Sequence, residues 1–365
     1  MSDNREERGN HTVLSARRGR YGESFLRRFG VVIVWAVVVI VFSAAKPHTF
    51  PTSSNFSTLF ASQAPLGILG LALVIPLSAG DYDLSVASIL NFSSMLIAVL
   101  NTQHGVPVLA AALLGIVFGA VVGLANGLIC VLADIDPFIV TLGVGTFVDG
   151  LTLWISKSAP ISGVSQNLVN GVVIDRFLGL SLEFWYLIIL AVVVWYFFDF
   201  TPSGRRVLIV GRGREVARLS GLRVKRIRVL SFVASGVLSG LAGVVYVGTS
   251  GSADPSAGTA LLLPAFAAVF LGATTIAVGR FNPWGTLVAV YFLTTGINGL
   301  AQIGVSTFVQ QLFYGGALVI AVLLSSLVGR PSLRKAKAAG QVTQPAAVPP
   351  GDPPSGTRPS TGITT

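Results

Sequence analysis

Charge is what this chain has least of. Asp, Glu, Lys and Arg make up 11% of its 365 residues, under half of the roughly 25% found in a soluble domain. Cysteine is nearly absent too: Cys130 stands alone in an apolar run, which excludes a disulfide framework and a cysteine-based metal site. The three histidines, His11, His48 and His104, are scattered, so neither a metal centre nor a His-based triad is expected. No phosphate loop, H-E-x-x-H or G-x-S-x-G motif occurs. "GRGRE" at 211–215 echoes a glycine-rich nucleotide loop but lacks the third glycine in register. The expectation is a chain without catalytic residues, metal or cofactor, unable to hydrolyse ATP by itself.

What is abundant is apolar. Hydrophobic residues reach 52% and the mean hydropathy is +0.76. Ten apolar segments can be drawn, at about 30–45, 62–79, 85–102, 107–131, 138–156, 182–199, 229–249, 259–278, 284–303 and 308–328. Each approaches the ~20 residues a helix needs to cross a bilayer. The fold class is therefore all-α, a polytopic membrane protein with about ten transmembrane helices. The net charge of +10 is not a nucleic-acid signal, because of 25 basic residues seven lie in 1–28, nine in 201–228 and five after Val328. Lys and Arg accumulate in cytoplasmic loops, and an even number of spans puts all three basic segments on that side, with both termini cytoplasmic. Residues 1–29 then form a basic cytoplasmic segment, 30–328 the transmembrane domain, and 329–365 a tail. The tail is rich in Pro, Gly, Ser and Thr from Gly340 onward and is expected to be disordered.

Inside the spans, glycine is frequent, and Gly115, Gly119 and Gly123 form a G-x-x-x-G-x-x-x-G series on one predicted helix. Small residues at this spacing let membrane helices approach closely; helices that slide or break around a pathway would show the same composition. Polar residues in spans are few: Asn91, Asn126, Thr141, Thr146, Asp149, Asn298, Gln302, Gln310 and Gln311. Asn91, Asn126, Thr141 and Asn298 are candidate lining for the path of a neutral polar solute, against the plainer reading that they bond neighbouring helices. With Asp149 the one acid well inside a span, and Asp254 and Arg280 the only charges from Val229 to Val328, ion coupling is weakly supported.

Two stretches stand out. "GDYDLSV", Gly80–Val86, puts two carboxylates two residues apart between predicted spans two and three, on the cytoplasmic side. There Gly80 suits a tight turn and Asp83 can cap the third helix, with gating or solute contact as the alternative; Asp81 has no role legible from its neighbours. The link 201–228, "TPSGRRVLIVGRGREVARLSGLRVKRIR", is basic and amphipathic, and its "REVARLSGL" reads as a short helix stopped by Gly221. Composition leaves two readings open, a helix lying on anionic headgroups or a docking element for a cytoplasmic partner.

At these stretches the sequence resembles the membrane permeases of bacterial ATP-binding-cassette importers for monosaccharides, the ribose, xylose, arabinose and galactose group. "GDYDLSVAS" matches a G-G-x-D-L-S-V-G motif, "ANGLICVLADIDPFIVTLGVGTFVDGL" an N-G-…-F-I-x-T-L motif, and the 201–228 link a T-x-x-G-R-…-G-x-N-x-x-A-x-x-S-G-I motif. Further matches at "SGVLSGLAGVVYVGTSGSADPSAGTALLLPAFAAVFLGATTIAVGR" and "NGLAQIGVSTFVQQLFYGGALVIAVLL" make the set collinear from about 55 to 328. The resemblance implies a bacterial cytoplasmic-membrane permease that pairs with a second copy or a paralogue. Its other partners would be a cytoplasmic ATP-binding-cassette ATPase and an extracytoplasmic solute-binding protein. It also implies that 211–222 holds the coupling helix, with Glu215, Ala217, Arg218 and Gly221 as contact positions. Gly80, Asp81, Asp83 and Ser85 become the family motif and a candidate gate. The chain departs from the pattern at Asp81 and Ala87, where the motif has glycine, and at Arg214, where it has asparagine. A permease for branched-chain amino acids or nucleosides, and a stand-alone secondary carrier, are the alternatives.

Overall fold

A computed structural model describes residues 28–340, with the side chain of Thr307 and those from 325 onward left aside. It is built from helices α1 (Arg28–Ala45), α2 (Ser53–Ser62), α3 (Ala64–Ser78), α4 (Val86–Thr102), α5 (Val108–Leu132), α6 (Pro137–Ser156), the short α7 (Gln166–Val169), α8 (Leu182–Phe200), α9 (Pro202–Arg212), α10 (Arg214–Leu219), α11 (Val224–Ser250), α12 (Ala257–Gly272), α13 (Pro283–Gln302) and α14 (Thr307–Gly340). One π-turn follows α7 at Asn170–Ile174, and two-residue strands pair Ile161–Ser162 with Ser252–Ala253 and Arg176–Phe177 with Leu180–Ser181.

Among the described residues six helices are long and apolar enough to cross a membrane: α1, α5, α6, α8, α11 and α13. The predicted segment 62–79 is the second half of a bent pair, α2 and α3, meeting at 41°. Pro65 in the first turn of α3 has no amide hydrogen with which to continue the ladder of α2, and the Thr52 hydroxyl caps α2 by accepting the Asn55 amide. Segments 85–102, 259–278 and 308–328 correspond to shorter apolar helices, Val86–Thr102, Ala257–Gly272 and Phe308–Leu324. In segment 259–278 the helix ends at Gly272, short of the expected boundary. The chain leaves the helix after Gly272 because Asn282 draws the following turn together, its side-chain amide donating to the Gly272, Thr275 and Arg280 carbonyls.

The centre of the bundle is α3, buried at every residue. "APLGILGLALVIPLS" offers no polar face, so it has no preferred outward side. The 27-residue α11 runs alongside it and against α5. There the glycine series acts as packing: Gly119 and Gly236 bring backbone to backbone, Gly123 meets the Phe232 carbonyl, and a Cβ at Gly240 would lie 2.9 Å from the Ile116 Cα. The opposite face of α5 carries exposed Leu109, Leu113, Val117 and Val121, an apolar stripe suited to lipid or a partner helix.

The chain divides into two units after Val328. Residues 329–340, expected within a disordered tail, are helical in α14, in keeping with the Ala, Leu, Lys and Arg of "LRKAKAA". The basic segment up to residue 27 and the tail from 341 lie outside the described residues.

Candidate functional site

The Gly80–Val86 turn and the 201–228 link, far apart in sequence, form one site at one end of α11. Gly80 turns the chain with φ +80°, and the Asp81 amide donates back to the Pro76 carbonyl at 2.9 Å. Against this turn lies the end of α9, where a Cβ on Gly211 would run into the Ser78 carbonyl oxygen. Only glycine permits that approach.

Asp81 is fully buried. Its two oxygens accept from Arg228 Nε and Nη2, both at 2.9 Å, and Oδ1 also accepts from Arg214 Nη2 at 2.6 Å. Arg214 donates further to the Gly80 carbonyl at 3.0 Å. The two arginines differ in setting: the Arg228 side chain is 8% exposed, that of Arg214 46%. A buried carboxylate with paired, charge-assisted donors on both oxygens is the arrangement in which burial of charge is best compensated.

Asp83 is likewise fully buried. Its Oδ1 accepts from the Ser85 amide at 3.1 Å and hydroxyl at 2.6 Å, its Oδ2 from the Ser235 hydroxyl at 2.8 Å. Ser85 in turn accepts from Asn126 Nδ2 at 2.8 Å, and the Leu84 amide donates to the Thr141 hydroxyl at 3.0 Å. Burial pushes the Asp83 carboxyl above the usual carboxylate range, opposed by the bonds from Ser85 and Ser235. Asp83 thus satisfies the amide just ahead of α4, with Ser85 occupying the N-cap position itself.

The other side of the site is α9 and α10. Thr201 caps α9 by accepting the Gly204 amide, with Pro202 in the first turn. The helix α10 ends at Gly221, whose φ is +78°; the Gly221 and Leu222 amides bond the Arg218 and Ala217 carbonyls, a Schellman stop. Glu215 and Arg218 pair with each other at 2.7 Å and are exposed.

The family model described as branched-chain amino acid transport system / permease component matches residues 55–322. The chain belongs to this permease family. Among curated relatives, the ribose import permease protein of Bacillus subtilis 168 is 35% identical over 83% of this chain and 94% of its own. The L-arabinose ABC transporter permease protein of Azospirillum brasilense is 32% identical over 85% and 91%. The D-allose transport system permease protein of Escherichia coli K12 is 29% identical over 84% and 94%. No solved structure matches the chain.

In the permease, then, Gly80, Asp81, Asp83, Ser85, Asn126 and Thr141 converge on one turn. Asn91 and Asn298 do not join them. The Asn91 side-chain amide donates to the Pro255 carbonyl at 2.6 Å, while Asn298 accepts from Gln302, which also reaches Asn55. Ala217, expected as a contact position, is fully buried. The outward residues are instead Val216 and Leu219, 67% and 78% exposed, one turn apart on the same helix face. Two apolar side chains at that spacing in a basic link were the signal for them. Arg228 and Ser235 were missed because their partners lie in another segment, and no local pattern on α11 marks them.

Proposed function

We propose that this permease is the membrane subunit of an ATP-driven importer, passing a monosaccharide or similar small polar solute delivered by an extracytoplasmic binding protein. It would cross the bacterial cytoplasmic membrane ten times with both termini inside, paired with a second copy or a paralogue. The observation that carries the reading is α10. A six-residue helix in the basic link between the apolar helices α8 and α11 holds Ala217 inward and presents Val216, Leu219, Glu215 and Arg218 outward, the shape expected of an element that seats in a groove of a separate ATPase. Closure and reopening of that ATPase pair would shift the permease between outward- and inward-facing states. The carbonyl oxygens of the Asn91 and Asn126 side chains are buried and unpaired in this conformation, acceptors that a polyhydroxyl solute could use once the helices part.

The sugar names of the relatives favour a monosaccharide, and the family description favours branched-chain amino acids as the second reading. A thermal-shift panel of sugars, polyols and branched-chain amino acids on the partner binding protein separates them. Uptake by proteoliposomes holding permease, ATPase and loaded binding protein, dependent on ATP, is the expected result. Uptake by the permease alone would replace this reading with a stand-alone carrier.

A further inference from the structure

The two arginines bonded to Asp81 make two kinds of contact. Arg228 grips both carboxylate oxygens from within the bundle with two parallel bonds, both at 2.9 Å. Arg214 reaches in from α10 with one bond to Asp81 Oδ1 and one to the Gly80 carbonyl. It is half-exposed where Arg228 is buried. Among the described residues, these two bonds of Arg214 are the only hydrogen bonds joining α10 to anything outside the 201–228 link.

We propose that Arg214 is a releasable latch on Asp81, a positioning residue that keeps α10 in register with the turn leading into α4, while Arg228 is the permanent counter-ion. The inference rests on the coupling reading of α10. Its physical basis is the difference in what each release leaves behind. If Arg214 lets go, both Asp81 oxygens still accept from Arg228, so no buried charge is stranded, and the freed guanidinium is already half in water. If Arg228 let go, a buried carboxylate would lose its bidentate partner and a buried guanidinium would be left in the bundle. The latch can therefore open and close during a transport cycle without unfolding the site. It also lies where movement of α10 has to pass: the next residues, Tyr82 to Ser85, carry the Thr141, Asn126 and Ser235 bonds that hold α4, α5, α6 and α11 together. A pulled α10 would tug this turn through Asp81, and a loosened one would leave it in place.

The test uses the whole importer in proteoliposomes, with ATP hydrolysis and solute uptake read on the same sample. R214Q keeps the planar polar end and removes the charge, and R214K keeps the charge. For R214Q we expect an assembled complex, unchanged permease melting and continued ATP hydrolysis. Uptake per ATP should fall about fivefold, the factor a partly exposed ion pair supports. R214K recovers part of that ratio. Two outcomes overturn the latch. Either R214Q leaves uptake per ATP unchanged, or uptake and hydrolysis fall together with loss of the ATPase, which would make Arg214 a docking contact. Failure of the wild-type permease to bind an ATPase at all would instead refute the coupling reading beneath it.

Discussion

Arg228 and Asp81 stand 147 positions apart in sequence and meet through two parallel N–H···O bonds, both 2.9 Å long, with neither side chain more than 8% exposed. This pair ties the start of α11 to the end of α3, and α3 is the buried axis of the bundle. The consequence is an asymmetry between breaking the pair and replacing it. Removing one partner of a buried ion pair costs about 3–5 kcal/mol, whereas exchanging both for apolar residues is often neutral. Asp81→Asn and Arg228→Met are each expected to lower the melting temperature of the detergent-purified permease sharply. The double variant Asp81→Leu/Arg228→Met should recover most of the loss, as read by thermal unfolding of all four proteins.

The α5–α11 contact predicts position-specific intolerance of side chains. Gly119 and Gly123 face the Gly236 and Phe232 carbonyl oxygens, while Gly143 on α6 has open space around it. Gly119→Leu or Gly123→Leu forces the helices apart, and overpacking of this kind costs about 1–3 kcal/mol or more. Gly143→Ala should be neutral or slightly stabilising, since alanine is the better helix former. Yield and melting temperature of the three variants give the comparison.

The exposed pair on α10 predicts a defect confined to assembly. Val216→Ser and Leu219→Ser leave the buried core untouched, so melting of the isolated permease should not change. Burying a Val or Leu side chain contributes roughly 1.5–3 kcal/mol, so each substitution should weaken ATPase binding about tenfold or more. Titration of labelled ATPase into permease nanodiscs measures this, and an unaltered affinity would show that this face docks elsewhere.

Ser85 joins Asp83 to Asn126 through one hydroxyl. Ser85→Ala leaves the Asn126 amide donor without its partner, a loss of about 1–3 kcal/mol for a buried polar group. Asn126→Leu in the Ser85→Ala background should cost less than the sum of the two single changes, because both remove the same bond. A double-mutant cycle on melting free energies is the appropriate measurement.

Much of this architecture was legible before any coordinates. Apolar runs near 20 residues marked the helices and "LSGL" the stop of α10, since these signals act over three or four neighbouring residues, whereas α9 was not expected. Gly80 was read as a turn and has positive φ. Asp83 was expected to cap α4, but Ser85 is the N-cap residue and Asp83 accepts its amide, just ahead of the helix. Asp81 was unreadable for the converse reason. Its neighbours on the chain are Gly80 and Tyr82, and its partners arrive from α10 and α11.

The sequence by itself determined the class of protein: a chain with so little charge and so many apolar runs can satisfy its backbone only as helices within a membrane. It also determined where those helices are punctuated, through prolines, glycines and capping hydroxyls. Which polar side chains share a site was decided by the tertiary structure alone. Asn126 and Thr141 reach the Asp83 turn while Asn91 reaches the Pro255 carbonyl and Asn298 pairs with Gln302 on its own helix, and Ala217 turns inward where Val216 and Leu219 turn out. The reason is range. Periodicity and capping act within a turn of helix, but the partner of a buried charge is set by which segments pack together, and for Asp81 those lie 133 and 147 residues away.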